Sequence, residues 1–229
     1  IYIDVDSYIP VGGAYEIVIS ANKGTSRDNP LSAGQDTATI TAELVTGDIP
    51  SGLKPTLSIT GDGFSLDPET GIVTVASRGT TAGAIRSATV TASYEDLEPK
   101  SITLYQAENK VTGYSGDITV TTNISYPNIS SSGGTANPSG PSWTQAATYS
   151  SGESSTANNV GSVSFEKVSG DSAFSVDSSG TVSVGENPSY ENTRSAVVKA
   201  TIINSSASAT STDTVVQEAA TRSDIEISV

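Results

Sequence analysis

The chain has 229 residues, a formal net charge of −14 at pH 7 and a pI near 4.1, with 11 Lys and Arg set against 25 Asp and Glu. It contains neither histidine nor cysteine, which excludes disulfides, thiolate nucleophiles, Ser-His-Asp and Cys-His catalysis and His- or Cys-ligated metal. The cations form no basic run, so nucleic acid is not an expected partner, and no stretch reaches the roughly 18 apolar residues of a membrane helix.

The predicted elements are strands from one end to the other. Ile1-Tyr-Ile-Asp-Val5 alternates apolar and polar residues, and no Met or basic, apolar signal segment stands before it, so the chain is expected to be processed or part of something longer. Further strands are expected at 15–20, 37–45, 57–60 and 72–76. The turns between the last two are Gly61-Asp-Gly63 and Asp67-Pro-Glu-Thr-Gly71. At 86–94 Ala88, Val90, Ala92 and Tyr94 share one face while Ser87, Thr89, Thr91 and Ser93 share the other, the period of a half-buried strand. A strand at 102–106 ends on Gln106.

The second half repeats the first. Phe64-Ser-Leu-Asp67 returns as Phe174-Ser-Val-Asp177, Val73-Thr-Val75 as Val182-Ser-Val184, and Arg86-Ser-Ala-Thr-Val90 as Arg194-Ser-Ala-Val-Val198, at a nearly constant offset of about 110 residues. Strands are expected at 118–122, 143–149, 162–168, 181–184, 194–202 and 212–217, with Ala196, Val198, Ala200 and Ile202 inward and an Asp177-Ser-Ser-Gly180 turn. The small inward alanines call for bulk opposite them, and Phe64 and Phe174 are the candidates. A repeat of this length, with frequent turns and no helical crossover, predicts an all-β chain of two tandem Ig-like antiparallel β-sandwiches over 1–110 and 111–221. Residues 222–229 follow. There Ile225 and Ile227 alternate with Asp224, Glu226 and Ser228, as in the first strand of a third unit or an intersubunit strand.

The hairpin Phe64-Ser-Leu-Asp-Pro-Glu-Thr-Gly-Ile-Val-Thr-Val75 followed by Ala88-Thr-Val-Thr-Ala92 resembles bacterial Ig-like domains. The closing Ile102-Thr-Leu-Tyr-Gln106 and Thr214-Val-Val-Gln217, with the entry segments Tyr8-Ile-Pro-Val-Gly-Gly13 and Tyr126-Pro-Asn-Ile-Ser-Ser-Ser-Gly-Gly134, are similar to BACON-type domains of Bacteroidetes and their phages. The resemblance implies a sandwich fold, no shared catalytic residues, and occurrence in capsid decorations, fibres, adhesin stalks and secreted glycan-degrading enzymes.

The residues offer four kinds of candidate site. Asp67 and Glu69 are a carboxylate pair of the sort a glycosidase uses, but they lie in an expected surface turn, so no catalytic residue is expected. Calcium takes oxygen ligands, for which Asp4, Asp6, Asp62, Asp67, Asp171 and Asp177 are candidates, beside the plain reading of a solvated acidic surface. Trp143, Tyr149 and Tyr190 could stack on sugar rings, while a lone Trp in a sandwich is ordinarily core. Lys199, on a central strand, is a candidate for a Lys–Asn isopeptide bond.

The reading is a non-enzymatic structural or interaction protein of an extracellular assembly, most simply a phage virion decoration or fibre component, with a bacterial surface adhesin or a glycan-binding module as alternatives. Expected partners are other structural proteins, copies of itself or surface glycans; no cofactor is expected beyond calcium. Ile225 and Ile227 are the expected assembly residues.

Overall fold

The computed structural model describes residues 15–47 and 49–222, and the regular structure among them is entirely β. The chain forms two compact units, Ile1–Thr112 with Tyr149–Ser154, and Gly113–Thr148 with Ser155–Val229. The repeat offset gave no sign that the segment 149–154 belongs with the first unit. It is held there by backbone and side-chain bonds around the buried Asn109: Asn109 donates to the carbonyls of Gly79 and Thr81, and its Oδ1 accepts the Ser151 N–H at 2.9 Å.

In the first unit, β1 (Glu16–Ala21), β2 (Asp36–Thr46), β6 (Ile72–Val75) and β5 (Phe64–Asp67) form one antiparallel sheet in that spatial order, with the two-residue β3 (Ile49–Pro50) at the end of β2. The other sheet is β4 (Thr56–Thr60), β7 (Arg86–Ser93) and β8 (Lys100–Gln106). Alternation along β7 buries Ala88, Val90 and Ala92. Against Ala88 and Val90 lie Phe64, Val73 and Val75 of the opposite sheet, together with Ile40 and Leu104. The two sheets therefore share one core, as a sandwich requires.

The second unit is built from β9 (Val111–Thr122), β10 (Gly134–Ala136), β11 (Ser142–Tyr149), β12 (Ser154–Asn158), β13 (Ser162–Gly170), β14 (Ser175–Val176), β15 (Val182–Val184), β16 (Arg194–Asn204) and β17 (Ala207–Gln217), of which the end residues Val111, Thr112, Tyr149 and Ser154 belong with the first unit. They are ordered β10-β15-β14, β12-β11-β9 and β13-β16-β17. Phe174 packs with Ala196, Val198, Ala200, Val182 and Val215, so the small inward alanines of β16 face an aromatic ring as those of β7 do. Both units are Ig-like antiparallel β-sandwiches.

Two strands run longer than their sequence suggests. β17 begins at Ala207 rather than 212, because a two-residue Ser205-Ser206 turn, with Ser205 at φ 53°, lets all eleven residues of β16 pair with β17. Its first half is Ser, Thr and Ala, which carry no strong apolar alternation. β9 likewise starts at Val111 instead of 118, and its early residues are mostly exposed. β12 is Ser, Thr, Asn and a single Ala, and has no signature as a strand.

Candidate functional site

The most distinctive polar arrangement occurs once in each unit. Gln106 closes β8 and Gln217 closes β17, and both are fully buried. The Arg that opens the neighbouring strand donates to each amide oxygen: Arg86 Nε to Gln106 Oε1 at 2.6 Å, and Arg194 Nη2 to Gln217 Oε1 at 2.6 Å. Each amide nitrogen then donates to two distant loops. Gln106 Nε2 reaches the carbonyls of Gly34 (3.1 Å) and Ala76 (3.0 Å); Gln217 Nε2 reaches those of Ser130 (3.1 Å) and Gly185 (2.8 Å). Arg86 and Arg194 extend the same clasp, donating to Ala76 and to Gly185 and Glu186. The Arg86 guanidinium also lies 5.7 Å from the Phe64 ring centroid.

The clasp fixes an early segment of each unit to its last strand. Leu31 bridges Gln106 in parallel, its N–H donating to the Tyr105 carbonyl and its carbonyl accepting from Ala107. Ile129 bridges Gln217 in the same way, between Val216 and Glu218. Both Gln residues and both Arg residues were visible as parts of the repeated motifs. That they meet was not, because 20 residues separate them in one unit and 23 in the other.

The predicted site residues have other duties. Asp67 Oδ1 accepts the Glu69 N–H, and Asp177 Oδ1 accepts Ser179 Oγ–H and the N–H groups of Ser179 and Thr181. The Thr70 hydroxyl and Glu69 amide hold Asp67 below the usual carboxylate range; the Ser179 hydroxyl and Thr181 amide do the same for Asp177. Asp67 and Glu69 both lie in the β5–β6 turn, and the turn's own hydroxyl and amides hold the Asp67 carboxylate. Gly71 and Gly180 follow these aspartates at φ 70° and 85°, where an added Cβ would stand 2.4 Å from the Ile40 carbonyl oxygen and 2.8 Å from the Phe165 ring.

Asp62 is exposed and Asp171 caps its own turn by accepting the Ala173 N–H; Asp4 and Asp6 lie outside the described residues. No group of three acidic side chains converges among the described residues. Trp143 does not stand on a sugar-stacking face: it is 7% exposed, packs with Ile118 and Ile202, and donates Nε1–H to the Val160 carbonyl at 2.8 Å. Burying the indole while its N–H finds a carbonyl removes both reasons for it to stay wet. Tyr190 is exposed, with the Arg222 guanidinium 5.6 Å from its ring centroid, and Tyr149 is half-buried in the other unit. The Lys199 ammonium lies 2.5 Å from the Glu166 carboxylate directly across the β13–β16 ladder, an ion pair in place of an isopeptide. Ile225 and Ile227 lie outside the described residues.

No family model and no curated protein matches the sequence. Among solved structures, EC1-2 of human protocadherin-24 is 14% identical over 93% of this chain and 100% of that one, with a TM-score of 0.32. EC22-24 of mouse cadherin-23 is 15% identical over 90% of this chain and 66% of that one, at 0.38. The three N-terminal domains of the bacteriophage RB49 Highly Immunogenic Outer Capsid protein are 12% identical over 90% of this chain and 71% of that one, at 0.29. Likeness at that level says nothing of function.

Proposed function

We propose that the chain is a non-enzymatic structural component of an extracellular assembly, a virion decoration or fibre protein built from BACON-like sandwiches. The observation that carries this reading is the way each unit is closed. An early segment and the last strand run parallel at Leu31–Gln106 and Ile129–Gln217, and a clasp of a buried Gln and a half-buried Arg ties both to the intervening loop. Tension that reaches either bridge, past β1 or β9, pulls its two parallel segments in opposite directions. Their hydrogen bonds are then sheared together rather than peeled one at a time. Buried polar chemistry in both units is spent on backbone carbonyls, which suits a spacer. The acidic, cysteine-free composition suits exposure outside the cytosol without dependence on redox state. The partners of such a spacer are other structural proteins or further copies of itself.

The test is location. Antibody against the chain, applied to intact virions and cells of the source, should decorate the outside of the particle. Labelling of the bacterial surface would assign it to an adhesin fibre, and labelling confined to the cell interior would overturn the reading.

A further inference from the structure

Among the described residues, strand β2 is left open along one side, and the second unit shows what closes the equivalent side. β1 pairs with Ile40 to Val45 of β2 on one flank; on the other, β6 covers only Asp36 to Thr39 and β3 only Val45 and Thr46. Bond directions along β2 identify the uncovered groups. Thr39 exchanges bonds with Asn22 on the β1 side, whereas Ile40 N–H donates to the Gly71 carbonyl and the Leu44 carbonyl accepts from Ser51 on the opposite side. By the period of two, the N–H and C=O of Ala42 point into the gap between those two bonds, and among the described residues nothing meets them there. The gap is a groove of about 370 Å³, bounded by Leu53, Lys54 and Leu57 on one side and Glu69 and Thr70 on the other. Ala42 is only half-buried, although Ile40 and Leu44 on the same face are buried. In the second unit, β11 has β9 on one flank and the five-residue β12 on the other.

We infer that the open flank of β2 receives an added strand, and that its occupant is residues 223–229 of a second copy. This rests on the assembly role proposed above. An extended chain supplies the alternating donor and acceptor that Ala42 does not find among the described residues. In Ser223-Asp-Ile-Glu-Ile-Ser-Val229 the isoleucines share one face and the acids the other. Laid against β2, that pattern puts Ile225 and Ile227 over Leu53 and Leu57, extending the small cluster in which Leu57 and Ala42 pack with Leu44 and Ala92. Asp224 and Glu226 turn outward, away from a groove whose charged lining is Lys54, Glu43 and Glu69. The result is head-to-tail, which propagates rather than closes.

Hydrogen exchange of the full chain, read across a concentration series and with a free 223–229 peptide, tests the seat directly. Exchange of the Ala42 amide should slow at least about tenfold on raising the concentration or adding the peptide. Sedimentation should show concentration-dependent association, lost in Ile225→Asp/Ile227→Asp and in Ala42→Pro. Proline removes the outward N–H at a strand flank where the ring has room, and a retained melting transition confirms that the variant folds. An unchanged Ala42 amide, or association that survives in the isoleucine variant, overturns the inference. Protection that is independent of concentration but lost in the isoleucine variant also overturns it, since the tail would then sit within its own chain. A monomer found on the virion exterior would refute the strand seat and leave the structural role standing.

Discussion

Gln106 and Gln217 have no contact with water, yet each satisfies an Arg and several carbonyls at once. Truncating either amide takes the side-chain donor from the Gly34 or Ser130 carbonyl and one of the guanidinium's several acceptors, for which about 1–3 kcal/mol is the expected loss. Gln217→Ala should therefore lower the denaturant midpoint of the second unit well beyond the effect of an exposed Ser→Ala change, and an unchanged midpoint would mean that water replaces the amide freely. Phe174, 2% exposed, stands opposite Ala196 and Val198, so Phe174→Ala removes a ring the small residues cannot replace and should cost about 3–5 kcal/mol. The turn aspartates contribute to acid sensitivity. Asp67 and Asp177 have depressed folded pKa values, so their contribution is present above the ordinary Asp range and disappears as pH falls through the depressed values. Denaturant midpoints from about pH 6 down to about pH 2 should fall less steeply in Asp67→Asn/Asp177→Asn than in the parent. Parallel curves would deny the two turns any part in acid sensitivity.

At the level of strands and turns, the β16–β17 hairpin is held in register by eleven pairs and a single strained position. Ser205 adopts φ 53°, a left-handed conformation that costs a side-chain-bearing residue about 1 kcal/mol, so Ser205→Gly should raise stability by about 0.5–1 kcal/mol. The opposite change, Gly180→Ala, combines a positive φ with a Cβ inside contact distance of Phe165 and should destabilise; thermal melts of the pair must move in opposite directions. Strands carrying Val, Ile or Ala at every second position, such as β7 and β16, were legible in the sequence because their inward face is apolar throughout. β12, all Ser, Thr, Ala and Asn, was not, because an edge strand paired mainly through its backbone needs no apolar face. The repeated Arg and Gln were legible as motif letters; their meeting depends on strand pairing that brings Arg86 opposite Gln106 and Arg194 opposite Gln217. Trp143 could be read either way until its indole N–H found the Val160 carbonyl inside the core.

On the scale of the whole chain, each unit carries its own core and its own clasp, so the two should yield to force separately. The offset near 110 residues anticipated two units, but the place of residues 149–154 rests on Ser151 and Asn109, which no periodicity connects. Single-molecule extension of the full chain tests the structural role most directly. Two unfolding events are expected, each releasing on the order of 350 Å of chain. Gln106→Ala should weaken one event and Gln217→Ala the other, because each removes the tie across its own parallel bridge. A chain that extends without resistance, or two events that ignore both substitutions, would contradict the account.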